Sequence, residues 1–121
     1  MRLTGSVPVL NCSDVEQSLL FYQRALQFVV LSKRQSERGL EWVHMQSGDT
    51  MLMLEQGQVQ EASKGRCMSR LYLYTDDVSA MHHYLTAKGY QVGGMIKTAY
   101  MDEFDLHDPD GHRLTIGARL S

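Results

Sequence analysis

Apolar and polar positions fall into two similar runs along this chain. In the first, Ser6 to Asn11 reads as a strand, with Pro8 suited to a sheet edge because it donates no backbone hydrogen bond. Ser13 or Asp14 offers a helix cap, and Val15, Leu19, Phe21, Tyr22, Ala25 and Leu26 recur at helical spacing, which predicts a helix over 15–26. Phe28 to Leu31 reads as a strand and polar Lys33 to Gly39 as a hairpin loop. Leu40 to Met45 and Thr50 to Glu55 alternate as strands around the turn Ser47-Gly48-Asp49. Gln56 to Arg66 is polar, carries Gly57 and Gly65, and reads as a linker.

The second run repeats the order. Arg70 to Thr75 is a strand, Asp76-Asp77 caps a helix from Val78 to Lys88, and Gly89 follows where a left-handed residue is wanted. Tyr90 to Val92 and Ile96 to Thr98 read as short strands. Glu103 to His107 and His112 to Gly117 flank the turn Asp108-Pro109-Asp110-Gly111. Asp14-Val15 recurs as Asp77-Val78 and Phe28 as Tyr90, a spacing that points to an internal duplication. The pattern predicts an α+β chain of two tandem β-α-β-β-β modules, at about 4–56 and 67–119, joined by a linker at about 57–66 into one domain over 1–121.

Composition narrows the function. The 121 residues are 43% apolar and 21% charged, as in a globular domain, and the net charge of -2 argues against nucleic acid. No apolar run approaches membrane-spanning length, and Met1 to Gly5 lacks a signal-peptide stretch, so the expectation is a cytoplasmic protein with no membrane partner. Cys12 and Cys67 read as separate reduced thiols rather than a disulfide or a nucleophile.

Several segments together resemble the vicinal oxygen chelate superfamily of glyoxalases, extradiol dioxygenases, fosfomycin resistance enzymes and bleomycin resistance proteins. They are the Asp14-Val15 cap with Ser18 and Phe21-Tyr22, then Met51-Leu52-Met53-Leu54-Glu55, and finally Asp108-Pro109-Asp110-Gly111-His112 followed by Arg113-Leu114-Thr115-Ile116-Gly117. The resemblance covers nearly the whole chain. It implies paired modules whose curved mixed sheets form a cup, with helices on the convex side.

Given that fold, strand alternation sorts the residues. Leu10, Leu52, Leu54, Leu71, Leu73, Phe104, Leu106, Leu114 and Ile116 would face the helices. Trp42, His44, Met53 and Glu55 from the first module, and Arg70, Tyr72, Asp105, His107 and Thr115 from the second, would face the cup as ligand-binding residues. Tyr100 would join them from a loop.

The resemblance also assigns four metal-ligand positions, which fall on Val7, Met53, Arg70 and Thr115. None is a ligand for a hard divalent cation. His44, Glu55, Asp105 and His107 face the same way without diagnostic spacing, and Asp105 with His107 has no accompanying nucleophile. His82 and His83 sit on the second helix, where a metal role is not expected.

The leading expectation is a metal-free, cofactor-free protein like the bleomycin resistance members. It would hold a drug-like or metabolite ligand and form a homodimer that closes exposed sheet edges. The alternatives are a glyoxalase-type lyase, isomerase or dioxygenase with a shifted metal site, and a scaffold with a vestigial cup.

Overall fold

The computed structural model describes residues 1–57 and 69–118. Most of the expected linker lies outside the described residues, as do Cys67 and the outer ends of the second module. The chain divides into two compact units, Met1–Ala62 and Ser63–Ser121.

Unit 1 contains β1 (Val9–Cys12), α1 (Val15–Leu26), β2 (Val29–Ser36), β3 (Gly39–Ser47) and β4 (Thr50–Gln56). Unit 2 contains β5 (Arg70–Thr75), α2 (Val78–Ala87), β6 (Ile96–Lys97), β7 (Asp102–His107) and β8 (Arg113–Ala118). The sheet orders are β1-β4-β3-β2 and β5-β8-β7-β6. In each, the first strand pairs parallel with the last and the other pairings are antiparallel. The duplication read from the sequence is thus a duplication of topology.

Capping begins both helices. Asp14 accepts from the N–H groups of Glu16 and Gln17, and Asp77 from that of Ala80, so each carboxylate satisfies helix donors that have no intrahelical partner. After α2, Gly89 adopts φ +90°, as its position in the sequence predicts. The same place after α1 is held by Gln27 at φ 59°, the only described non-glycine residue with positive φ.

Burial follows the alternation on the helix-facing sides. Leu10, Val43, Met45, Leu52 and Leu54 pack with Val15, Tyr22 and Phe28 in unit 1; Tyr22 meets Phe21 and Phe28 edge-on at 5.1 and 5.7 Å between ring centroids. In unit 2, Phe104, Leu106, Leu114 and Ile116 are buried with Val78 and Leu85. Leu71 and Leu73 are only half-buried, because α2 packs chiefly on β7 and β8 and leaves the outer strand β5 less covered.

Three segments differ from the sequence reading, the first being the opening strand, which begins at Val9 rather than Ser6. Lys33 to Ser36 continues β2 instead of forming a loop, and only Glu37-Arg38 turns the chain. Every residue of β2 is exposed, and its backbone pairs with β3 through two register irregularities. An edge strand held by backbone bonds needs no apolar face, so its polar sequence misleads. Tyr90 to Val92, expected as a strand, supplies one bridge between Val92 and Leu106. No helix among the described residues is long and apolar enough to cross a membrane.

Candidate functional site

Side chains that do not face the helices form a second surface on each sheet, and strand register decides which of them are neighbours. In unit 1, Met53 lies between Val9 and His44, and Glu55 between Asn11 and Trp42. Residues paired in this way share a face. The Trp42 and His44 rings are 6.2 Å apart, tilted by 47°. His44 Nε2 is shielded from solvent without a hydrogen-bond partner among the described residues. Met53 is half-buried and Glu55 exposed. This surface is aromatic and thioether-rich, with one carboxylate.

Unit 2 presents a different surface. Register sets Thr115 between Tyr72 and Asp105, Arg113 between Arg70 and His107, and Gly117 between Tyr74 and Glu103. Arg113 donates to Asp105 Oδ2 from Nε at 2.9 Å and Nη2 at 2.8 Å. Thr115 Oγ1 donates to Asp105 Oδ1 at 2.7 Å and accepts from Arg70 Nε at 3.2 Å. Burial pushes the Asp105 carboxyl up, but the hydrogen bonds from Thr115 and Arg113 outweigh it. With the charges of Arg113 and Arg70, they hold it below the ordinary carboxylate range.

Tyr72 Oη donates to Glu103 Oε2 at 2.6 Å and rests against Met101 Sδ. Burial, together with the hydrogen bond to Glu103 and the charge of that carboxylate, pushes the phenol up to about 12. The ring lies across Gly117, where an added Cβ would come within 3.1 Å of Tyr72 Cζ and still closer to its hydroxyl. A glycine in β8 therefore makes room for the tyrosine. The Tyr74 ring lies beside that of Tyr72, with centroids 5.2 Å apart and the planes tilted by 52°, and is 50% exposed.

The expected binding residues are thus brought together in two sets, Trp42, His44, Met53 and Glu55 on unit 1 and Arg70, Tyr72, Asp105 and Thr115 on unit 2. His107 shares the second face at its exposed end. Tyr100 is 76% exposed at a turn organised by Thr98, whose Oγ1 accepts from the N–H groups of Tyr100 and Met101. Sequence reasoning passed over Glu103, Met101 and Gly117. Alternation gives the faces of Glu103 and Gly117, but only the fold puts these two, and Met101 just before β7, around Tyr72. His82 is a packing residue, with Nε2 at 3.0 Å from the Gly93 carbonyl and its ring edge-on to Phe104 at 4.9 Å. Asp108 holds the turn before β8, accepting from the N–H groups of Asp110 and His112 at 3.0 and 2.9 Å.

A model of the Glyoxalase/Bleomycin resistance protein/Dioxygenase superfamily matches residues 6–116. The chain belongs to that superfamily. Among solved structures it is similar to TnmS3, an antibiotic binding protein from Streptomyces sp. CB03234, with 26% identity over 100% of both chains and a TM-score of 0.75. It is also similar to a bleomycin-binding protein complexed with bleomycin, with 20% identity over 97% of this chain and 99% of that one and a TM-score of 0.76. A third is lactoylglutathione lyase from Agrobacterium tumefaciens, with 16% identity over 97% and 95% of the two chains and a TM-score of 0.73. The last two likenesses concern the fold. No curated protein matches in sequence.

The superfamily includes metal-dependent enzymes, so the donor set must be weighed. Of the four positions that the resemblance assigns to ligands, Met53 offers a thioether and Val7 nothing. Arg70 and Thr115 are hydrogen-bonded to each other. A guanidinium remains protonated and repels a divalent cation. No group of three or more His, Cys, Asp or Glu side chains suited to a metal ion assembles among the described residues. Among the described residues, those at the four positions do not fit a divalent metal.

Proposed function

We propose that this protein binds a small, partly aromatic molecule of antibiotic or metabolite type on its helix-free sheet faces, without a metal and without turning it over. The carrying observation is the Arg70–Thr115 hydrogen bond, which joins two positions that metal-dependent relatives would need for ligands. On unit 1, Trp42, His44 and Met53 offer a largely apolar surface, and on unit 2, taken by itself, Tyr72 and Tyr74 offer an aromatic one. The likeness to an antibiotic binding protein at 26% identity points the same way. We place the protein in the cytoplasm as a homodimer; the long exposed edge strand β2 supports the second part of this reading.

The test is calorimetry and thermal shift of the intact chain against bleomycin and a panel of aromatic antibiotics, with the compound recovered for mass spectrometry. The expected result is saturable binding, a change in emission from Trp42, the only tryptophan, and a compound of unchanged mass. Near-stoichiometric divalent metal together with a chemically altered compound would overturn the reading. Light scattering tests the dimer.

A further inference from the structure

The two arginines of unit 2 stand side by side. Arg70 and Arg113 are in direct register on the parallel strands β5 and β8, about 5 Å apart along the sheet, with His107 next to Arg113 on β7. Like charges so placed repel, and folding alone gives no reason to keep both. Asp105 makes direct contact with only one of them, although the charge of Arg70 also acts on it. Both hydrogen bonds to its Oδ2 come from Arg113, and its Oδ1 is taken by Thr115. Arg70 donates Nε to the neutral Thr115 hydroxyl and has no ion pair among the described residues.

Thr115 is the hinge of this arrangement. It is buried, donates to Asp105 and accepts from Arg70, so it fixes the guanidinium by one edge. The terminal Nη groups of Arg70 are left as a forked donor with no hydrogen-bonded carboxylate among the described residues, the geometry that suits an oxyanion. Tyr72 and Tyr74 follow Arg70 at alternate positions of β5 and so share its face. Their ring pair begins about 7 Å along the strand, the length of an aryl carboxylate.

We infer that Arg70, oriented by Thr115 and Asp105, is an oxyanion subsite, and that the ligand of this face is an aromatic acid: a carboxylate, sulfonate or phosphate borne on a planar ring that stacks on the Tyr72–Tyr74 pair. The inference rests on the proposed ligand-binding reading and names its ligand class. Thr115 and Asp105 are positioning residues. The Asp105 carboxylate is hydrogen-bonded to Arg113 and the Glu103 carboxylate of the same face to Tyr72, so an incoming anion would meet the terminal groups of Arg70 locally.

The experiment titrates the intact chain with 2-naphthoate, 2-naphthalenesulfonate, 2-naphthyl phosphate and the neutral 2-naphthylmethanol, by calorimetry at low and high sodium chloride. Wild-type protein is expected to bind at least one anionic probe about tenfold or more tightly than the alcohol, as a hydrogen-bonded charge contact implies. That preference should shrink with salt, and which probe shows it identifies the oxyanion. Arg70→Met should abolish the preference while keeping affinity for the alcohol, without lowering the midpoint of thermal unfolding, because it removes a like-charge neighbour. Arg70→Lys should keep part of the preference. Equal affinity of wild type for all four probes, or a preference that survives Arg70→Met, overturns the oxyanion subsite but leaves the ligand-binding reading standing. Failure of these probes and of the whole antibiotic panel to bind overturns both.

Discussion

The two units share one topology and differ in chemistry, most on one side of each sheet. On the helix side both are apolar: Val15 corresponds to Val78 and Tyr22 to Leu85, the strand order and parallel closure are the same, and the difference is that Leu71 and Leu73 are less covered than Leu10. On the other side, unit 1 shows Trp42, His44 and Met53, while unit 2 shows the Arg113–Asp105–Thr115–Arg70 chain and the tyrosine pair. The helix side must exclude water to hold the fold, so burial constrains its composition. The other side carries no such requirement and is free to diverge.

The strongest way to break this comparison is to test whether the cores are equivalent. Tyr22→Ala and Leu85→Ala each empty a fully buried site. Each should cost about 2–5 kcal/mol in urea unfolding. A cost under about 1 kcal/mol at either site, well below that range, would mean that its unit is not held by the core described.

The divergent face can be sharpened through Tyr72. Its phenol should ionise near 12, against 10.0 for an ordinary tyrosine, as read by absorbance of the phenolate. A folded pKa raised above the unfolded one contributes stability that is fully present below pH 10. That contribution is lost as the pH rises from 10 towards 12, and Tyr72→Phe should remove this part of the alkaline loss. Gly117→Ala should push the ring off Glu103, bring the midpoint back toward the ordinary value and cost about 1–3 kcal/mol from overpacking. An unchanged titration in the alanine variant would show that the ring does not lie against this glycine.

The smallest expected effect concerns the helix ends. Gln27 holds at φ 59° the place that Gly89 holds in unit 2. Gln27→Gly should therefore stabilise the protein by about 1 kcal/mol, the steric cost of a side chain in the left-handed region. A loss of stability would show that the glutamine side chain contributes something the glycine cannot.

Much of this molecule is legible in order along the chain. Asp14 and Asp77 cap helices because a short carboxylate before an amphipathic run satisfies free N–H groups, and that is local chemistry. The alternation in β4, β7 and β8 separates helix-facing from outward residues because successive side chains in a strand point to opposite faces. Through these patterns the sequence by itself determined the duplicated β-α-β-β-β order, the helix-side core and the list of side chains on the other face.

Tertiary structure decided the rest, since it depends on partners distant in sequence. Lys33 to Ser36 is strand because β3 supplies backbone partners, which side-chain polarity does not report. Gln27 is left-handed because the chain must turn from α1 into β2 there, whatever residue stands at that point. Asp105 lies on the outward face by alternation, yet only the pairing of β7 with β8 gives its hydrogen bonds to Arg113 and Thr115 and leaves Arg70 without a hydrogen-bonded carboxylate among the described residues. Alternation tells which way a side chain points; register, fixed by backbone bonds between strands, decides which charge it meets.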